Sequence, residues 1–377
     1  MRVLLDSTAI PAERGGMGRY VDALIPTLVS EGLDLVVACQ PRDAEGVAAL
    51  APTAEVVVAP KAIGRRPVRL AWEQTQLPSI ARAVGADLLH SPHYTMPRRP
   101  AIPQVVTLPD ATFFSHPRLH SPVKVLFFRS AIRFAVHHAD ALVVISAATR
   151  EAILRTVGGD PERFHVAHLG VDDEVFHPAD DAERVRVRTS LGLGDRPYVA
   201  FLGTLEPRKN VPALVRGWVR AVAERPDPPA LVLAGGRGWD EDVAPAVASV
   251  PAHLTVLRPG YLPLGDLAGL LSGAEVVVYP SLGEGFGLPV LEAMACGAAV
   301  LTTRELSLPE VGGDAVGYSG TDEASIADAL GLLLDDADLR SRLGRAAVAR
   351  AAGFTWQKAA RVHVEAYEAA LRHAHTR

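Results

Sequence analysis

The sequence predicts an α/β protein built from two doubly wound parallel sheets, and three observations carry that expectation. Short apolar runs alternate with helical patterns almost from end to end, the signature of parallel sheets covered by helices. A polar segment, residues 172–195, interrupts the rhythm with Pro178, Gly192 and Gly194, after which the alternation restarts. The 377 residues also exceed one ordinary domain and suit two. The expected division is a first domain over 1–175, a second over 176–355, and a last helix over 356–377 that completes the first.

In the first half the strand candidates are residues 3–7, 34–39, 55–59, 87–90, 104–107, 141–145 and 165–168, with helices over 17–29, 68–84 and 122–138 between them. In the second half they are 198–202, 230–234, 254–257, 275–279 and 299–302. An Ala-rich helical stretch and the break at Gly353 precede the final helix, 356–372. Two such sheets facing one another make a cleft at their strand C-termini, where ligands bind in open parallel sheets.

Composition removes several function classes. With 49% hydrophobic and 21% charged residues the chain has ample core material for a globular protein. A net charge of −5 argues against nucleic acid as the main partner. Cys39 and Cys296 stand apart in apolar runs and read as buried free thiols, not as a disulfide or metal pair. The opening MRVLLDSTAIP lacks a signal-peptide h-region, and no apolar run approaches the ~20 residues of a membrane span. The expected location is cytoplasmic, with peripheral contact at the inner membrane face left open, and the expected state is monomer or homodimer.

Four loops, each after a strand and before a helix, hold the candidate chemistry. The first runs from Glu13 and Arg14 through Gly15, Gly16, Met17 and Gly18 to Arg19 and Tyr20. Its glycines let backbone approach a ligand, and amides at a helix N-terminus suit an anion. A dinucleotide fingerprint is the rival reading, but Val21 stands where the third glycine belongs and Cys39 and Gln40 end the next strand where an acid is needed. A plain glycine turn stays open. In the second loop Gly203 precedes Arg208 and Lys209, whose fork of donors and point charge together can clamp a diphosphate; a solvated basic turn is the alternative.

The third loop, residues 280–297, is the most informative. It places Glu284 among Gly283, Gly285 and Gly287, then starts a helix near Pro289 that ends before Gly297. Glu284 can accept hydrogen bonds from sugar hydroxyls. Glu292, one turn into the helix, is costly there unless it is paired or reaches a polar cleft. A carboxylate pair also suits a retaining glycosidase, and Glu292 alone suits a helix N-terminal acid.

As a set these stretches resemble the retaining GT-B glycosyltransferases of the glycogen-synthase-like superfamily, family four, over essentially the whole chain. Glu284 to Glu292 reads EGFGLPVLE, the E-x7-E motif of that family. Arg208 and Lys209 match its basic pair, Gly15 and Gly16 its N-terminal glycine loop, and Asp172 in HLGVDDEVF its N-G-V-D stretch. The segment after Phe354, Thr355 and Trp356 resembles the helix that crosses back to the first Rossmann-like domain.

The resemblance implies a nucleotide-sugar donor in the second domain and an acceptor in the first. Arg208 and Lys209 then hold the donor diphosphate, Glu284 the sugar hydroxyls and Glu292 the ribose. Gly203 and the backbone of Gly285, Phe286, Gly287 and Leu288 line the donor, with Tyr261 and Leu262 near the base. Tyr20, His93 and Asp110 are expected to face the acceptor, and Glu284, Arg208, Lys209 and Asp110 to carry the chemistry. No cofactor and no metal are implied. The expected donor is GDP-mannose, from the likeness of Trp72-Glu73-Gln74 and of 90–94 (HSPHY) to bacterial mannosyltransferase-like members, with UDP- and dTDP-sugars as alternatives.

The fourth loop departs from the family. Relatives read T-x-H-D where this chain reads Thr107-Leu108-Pro109-Asp110, so His90, His93 and His116 become candidates to supply the missing imidazole. Lys61, Arg65, Arg66 and Arg69 form a basic cluster, read as a solvated loop or as a site for anionic lipid or a phosphorylated acceptor. A nucleotide-sugar epimerase and a degenerate, binding-only transferase are the other readings.

Overall fold

The computed structural model describes the backbone of residues 1–12 and 14–375. Glu13, read above as the start of the glycine loop, and residues 376 and 377 of the expected last helix lie outside the described residues. The chain divides into two units, Met1–Gly170 with Thr355–Arg377, and Val171–Phe354.

The first unit is a seven-stranded sheet of β1 (Arg2–Asp6), β2 (Asp34–Cys39), β3 (Glu55–Val58), β4 (Leu88–Ser91), β5 (Gln104–Leu108), β6 (Ala141–Val144) and β7 (Phe164–Val166). Every pairing is parallel and the order is β3-β2-β1-β4-β5-β6-β7. The strands are continuous β-branched and leucine runs because helices cover both faces. The order reverses between β1 and β4, so a crevice opens beyond Asp6 and Ser91.

The second unit repeats the plan with β8 (Tyr198–Leu202), β9 (Ala230–Ala234), β10 (Val256–Gly260), β11 (Val276–Tyr279), β12 (Val300–Thr303) and β13 (Gly317–Ser319). These are again parallel, in the order β10-β9-β8-β11-β12-β13, with the reversal between β8 and β11. Trp218 of the helix Val211–Val222 is fully buried, and its indole N–H donates to the Pro229 carbonyl, 3.1 Å. Both cysteines are buried free thiols.

Three sequence expectations need correction. The helix expected over 68–84 is two, Arg66–Thr75 and Leu77–Ala83, because Pro78 lacks the N–H that would continue the ladder. The strand expected at 254–257 is Val256–Gly260, displaced toward the glycine, with an irregular register between Leu257 and Gly260. β13 carries no apolar run and was absent from the expectation.

The last helix, Trp356–His375, is locked into the first unit by buried polar side chains. His363 Nδ1 lies 2.7 Å from the Ala359 carbonyl, which can only accept. With the ring neutral, that carbonyl fixes the direction of every following bond. Tyr20 donates to His363 Nε2, 2.7 Å, and accepts from Thr107 Oγ1, 3.0 Å. Thr107 accepts from His90 Nε2, 2.8 Å, and His90 Nδ1 accepts from Tyr367, 2.8 Å. Five side chains from two helices and two strands thus form one directed chain in which each donor meets an acceptor. Burial pushes both imidazoles below their ordinary range, His363 to about 4, which keeps them neutral.

Candidate active site

Three loops of the second unit converge at the β8/β11 reversal. After β8 a short turn, Pro207–Lys209, carries the basic pair and ends at Asn210, whose φ of 57° is left-handed. The Asn210 amide holds that conformation by donating to the carbonyls of Pro280, 3.2 Å, and Thr321, 2.7 Å. Asparagine is one of the few residues other than glycine that adopts this conformation readily, and the two bonds fix it here.

After β11 the chain brings Glu284 between the two cations. Lys209 Nζ donates to Glu284 Oε1 at 2.6 Å, Arg208 Nη1 pairs with Oε2, and Ser281 Oγ donates to Oε1 at 2.9 Å. Arg208 also bonds Glu206, 2.6 Å, and the Gly283 carbonyl, 2.9 Å. The loop is tied down by Leu282 N–H to the Arg208 carbonyl, 2.9 Å, and by Ser307 Oγ to the Glu284 carbonyl, 2.8 Å.

Glu284 is only 8% and Lys209 7% exposed. Burial alone raises a carboxyl pKa, but Arg208 and then Lys209 overcome it and hold Glu284 at about 2. The group is therefore a permanent carboxylate near neutral pH. It can anchor cations and accept from hydroxyls, and it cannot serve as a proton donor. That removes Glu284 from the acid role a glycosidase pair requires. Lys209 has three N–H donors and uses one on Glu284, which leaves donors for a ligand.

The helix Leu288–Ala295 starts at Gly287, whose φ of 100° favours glycine; a Cβ there would also sit 2.8 Å from Cδ2 of Leu308, which would have to turn aside. Glu292 is 2% exposed on this helix, and Phe286 is buried with its ring 5.9 Å from Phe354. The structure thus gathers Gly203, Arg208, Lys209, Glu284, Gly285, Gly287 and Leu288 at one sheet end, with the Phe286 side chain turned inward.

One contribution escaped the sequence reading, although Gly235-Gly236-Arg237-Gly238 directly after an apolar run was a visible signal. A Cβ at Gly235 (φ 122°) would lie 2.3 Å from the Gly203 carbonyl oxygen, and one at Gly238 (φ 61°) 1.9 Å from that of Leu205. Backbone bonds join the same segments, Gly203 N–H to Ala234 and Leu205 N–H to Gly236, both 2.9 Å. Tyr261 is 68% exposed and its phenol rests on Gly236; Leu262 follows half-buried, and Trp239 is 57% exposed nearby in sequence. Gly238→Ala is expected to cost about 2–4 kcal/mol, from a strained backbone plus a displaced loop, read as a lower midpoint in urea unfolding.

In the first unit the expected residues separate. Gly15 precedes the helix Gly16–Ser30 without a side-chain cap, and a Cβ on Gly15 or Gly16 would meet nothing within 4 Å. Tyr20 is fully buried with its hydroxyl taken by Thr107 and His363, so its position corrects the expectation that it faces the acceptor. Asp110 Oδ1 accepts from the Thr112 amide, 2.9 Å, and hydroxyl, 2.7 Å.

Among the three histidines, His90 has both ring nitrogens occupied in the core, and His116 sits on a turn with Ser115. His93 stands half-buried beyond β4, at the first unit's reversal, on a loop whose next residue, Tyr94, is left-handed at φ 59°. Burial, then Arg69, push its imidazole down to about 4, against a pull upward from Asp110, so the ring is neutral at pH 7. Glu73 and Gln74 clamp this loop through Thr95 Oγ1, 2.6 Å, and the Met96 carbonyl, 2.9 Å. Arg69 is buried and pairs with Glu73 at 2.9 Å, which takes it out of the expected basic cluster.

Comparison with known proteins agrees with this geometry. Residues 184–350 match the family model for glycosyl transferases group 1, and residues 14–175 the model for glycosyltransferase family 4. The chain is 31% identical over 284 residues to O-antigen chain mannosyltransferase B of Escherichia coli, covering 74% of each chain. It is 29% identical to D-inositol 3-phosphate glycosyltransferase of Arthrobacter sp., over 95% of this chain and 91% of the relative. In structure it superposes on HepE of Anabaena, solved with UDP and glucose, at a TM-score of 0.78 with 17% identity over 98% and 99% of the two chains. Sucrose-phosphate synthase of Thermosynechococcus elongatus gives 0.76 with 21% identity over 98% of each.

Two Rossmann-like units and this basic, carboxylate-centred loop cluster define a glycosyltransferase of GT-B fold. The chain belongs to glycosyltransferase family 4, with its second half formed by the group 1 domain.

Proposed function

We propose that the chain is a retaining hexosyltransferase that draws its sugar from a nucleoside-diphosphate donor, with GDP-mannose ahead of UDP- and dTDP-sugars. The observation that carries the donor site is Glu284 held ionised between Arg208 and Lys209 at the β8/β11 reversal. In this reading Arg208 and Lys209 hold the diphosphate and neutralise it as it leaves, and Glu284 accepts from the sugar hydroxyls. Glu292 holds the ribose, Tyr261 and Leu262 flank the base, and the helix start at Gly15 and Gly16, which no side chain caps, offers backbone amides suited to an anion. The departing phosphate oxygen takes the acceptor proton on the same face of the sugar, so retention needs no acid from the protein.

The acceptor, a hydroxyl of a glycan, a lipid-linked sugar or a small molecule, meets His93 and Asp110 in the first unit. Neutral His93 suits a hydrogen bond to that hydroxyl and takes the place that Pro109 leaves unfilled. The likeness to the Escherichia coli mannosyltransferase supports mannose, and the UDP bound to HepE supports a nucleotide donor of some base. No helix among the described residues is long and apolar enough to cross a membrane.

Thermal unfolding against GDP, UDP, ADP, dTDP and NAD tests the donor. A ligand at about a hundred times its dissociation constant adds roughly 2.7 kcal/mol, a rise of a few degrees at this size. A shift with GDP alone is expected. A shift with UDP or dTDP instead replaces the base, and a shift with none of the diphosphates ends the donor assignment. Conversion of a nucleotide sugar without any acceptor identifies an epimerase instead.

A further inference from the structure

The loop after β4 that carries His93 is held in a conformation its own sequence opposes. Tyr94 is bulky and buried, yet its φ is 59°, and the Thr95 N–H donates to the His93 carbonyl at 2.6 Å. Together these define a γ-turn centred on Tyr94, of the rare and strained hand. Such a turn persists only where neighbouring contacts over-determine it, and an outlier of this kind points to function.

The turn is held from two sides. On one, the Tyr94 N–H donates to the Thr107 carbonyl of β5 at 3.0 Å, and the Tyr94 ring packs 4.9 Å from Phe128 and 5.8 Å from Phe113. On the other, Thr95 Oγ1 donates to Glu73 Oε2 at 2.6 Å, while Gln74 accepts from the Arg98 N–H, 2.8 Å, and donates to the Met96 carbonyl, 2.9 Å. Glu73 is buried and accepts two further bonds, from Arg69 and from the Gln74 amide, both 2.9 Å. Arg69 in turn stands 4.0 Å from Asp6 at the end of β1. The helix Arg66–Thr75 is thereby tied to the sheet through Arg69 and to the loop through Glu73. The His93 ring lies edge-on to Tyr94, 5.0 Å, and to Phe128, 5.9 Å, so its placement follows the turn.

We propose that Glu73 is a positioning residue for His93: its bond to Thr95 maintains the γ-turn at Tyr94 and so fixes where the imidazole meets an acceptor hydroxyl. The meeting with a hydroxyl rests on the reading of His93 as an acceptor residue; the placement of the ring does not. A ring held in advance reaches the hydroxyl without a search, and small misplacements at such contacts carry large costs in rate.

NMR titration of the full chain with isotope-labelled histidine tests this without any ligand, the His93 signal being assigned by its loss in His93→Gln. In the wild type its midpoint is expected at about 4. Thr95→Val keeps the shape of the side chain and every charge that bears on the ring (Arg69, Arg66 and Asp110), and removes the bond to Glu73. The midpoint is expected to rise above about 5 as the ring gains solvent, with the chain still folded, and Thr95→Ser is expected to restore it. Glu73→Gln offers one acceptor oxygen where three donors converge, and a similar rise is expected. Losing a negative charge by itself lowers the midpoint, so a rise there reports movement of the ring. If Glu73→Gln fails to fold, the two Thr95 variants decide. A midpoint that stays near 4 in Thr95→Val, or one at the ordinary 6.5 in the wild type, overturns the proposal. In sugar transfer, Thr95→Val is expected to lower kcat about tenfold at unchanged donor KM, with Thr95→Ser close to the wild type. A raised midpoint with full turnover in both Thr95→Val and His93→Gln upholds the placement and ends instead the assignment of His93 to the acceptor.

Discussion

Lys209→Ala is expected to lower kcat/KM for sugar transfer by about 10²–10³ while the chain stays folded. The size follows from removing one of the two cations proposed to face the leaving diphosphate, at a largely buried position. Folding survives because Glu284 keeps Arg208 and Ser281 as partners. Glu284→Gln complements it. The amide fills the same space without the negative charge that centres the two cations, and transfer is expected to fall by a similar factor. Release of nucleoside diphosphate, followed across a panel of acceptors with circular dichroism as the folding control, reads both. Full turnover in either variant removes the assignment of this loop cluster as the donor site.

Between pH 7 and pH 5 the first unit is expected to lose about 4 kcal/mol of stability, from His93 and His363 together. In the unfolded chain each imidazole takes up a proton near 6.5, whereas in the folded chain burial delays this to about 4. Unfolding therefore binds protons across that window, and stability falls as the pH drops through it, by about 2 kcal/mol per residue at pH 5. The cause at His363 is physical as well as electrostatic. A proton on Nε2 opposes the Tyr20 hydroxyl and reverses a chain whose direction the Ala359 carbonyl sets. His165, whose charge also bears on His363, adds to the same trend.

Glu284 behaves in the opposite sense. Its folded pKa of about 2 lies below the ordinary 4.5, so its contribution is complete above 4.5 and is lost only as the pH falls from there toward 2. The first unit is thus expected to melt first on mild acidification. Calorimetry from pH 7 to pH 5 checks this, with His363→Gln, which accepts from Tyr20 but does not titrate, losing some stability at pH 7 and showing a flatter slope. A melting temperature independent of pH in this range, or an unaltered slope in His363→Gln, contradicts the neutral-chain description.

The parts of this molecule legible in sequence are those written locally. Continuous Val and Leu runs separated by amphipathic helices gave the two sheets, and EGFGLPVLE after an apolar run placed Glu284 at a strand end. Arg208 and Lys209 lie 75 or so residues from Glu284, and strand order, which is not local, is what makes them neighbours. The same reason hid the chain of bonds from His363 through Tyr20, Thr107 and His90 to Tyr367, whose bonded partners are 17 to 343 residues apart. Tyr20 looked like a loop residue because it follows the glycines, yet it falls on the helix face that packs against the last helix. Arg69 and Glu73, four apart on one helix, were readable as a pair and were masked by the neighbouring cations of the cluster. Pro109 was read from a motif, while the placing of His93 within electrostatic reach of Asp110 needed the sheet.

The most direct measurement is isothermal titration of GDP, UDP and dTDP into the wild-type chain and into Lys209→Ala. If Arg208 and Lys209 hold the donor diphosphate, one of the three binds the wild type, and its dissociation constant rises tenfold or more in Lys209→Ala, the loss of one charge-assisted bond. An unchanged dissociation constant in Lys209→Ala places the diphosphate elsewhere and contradicts the site described here.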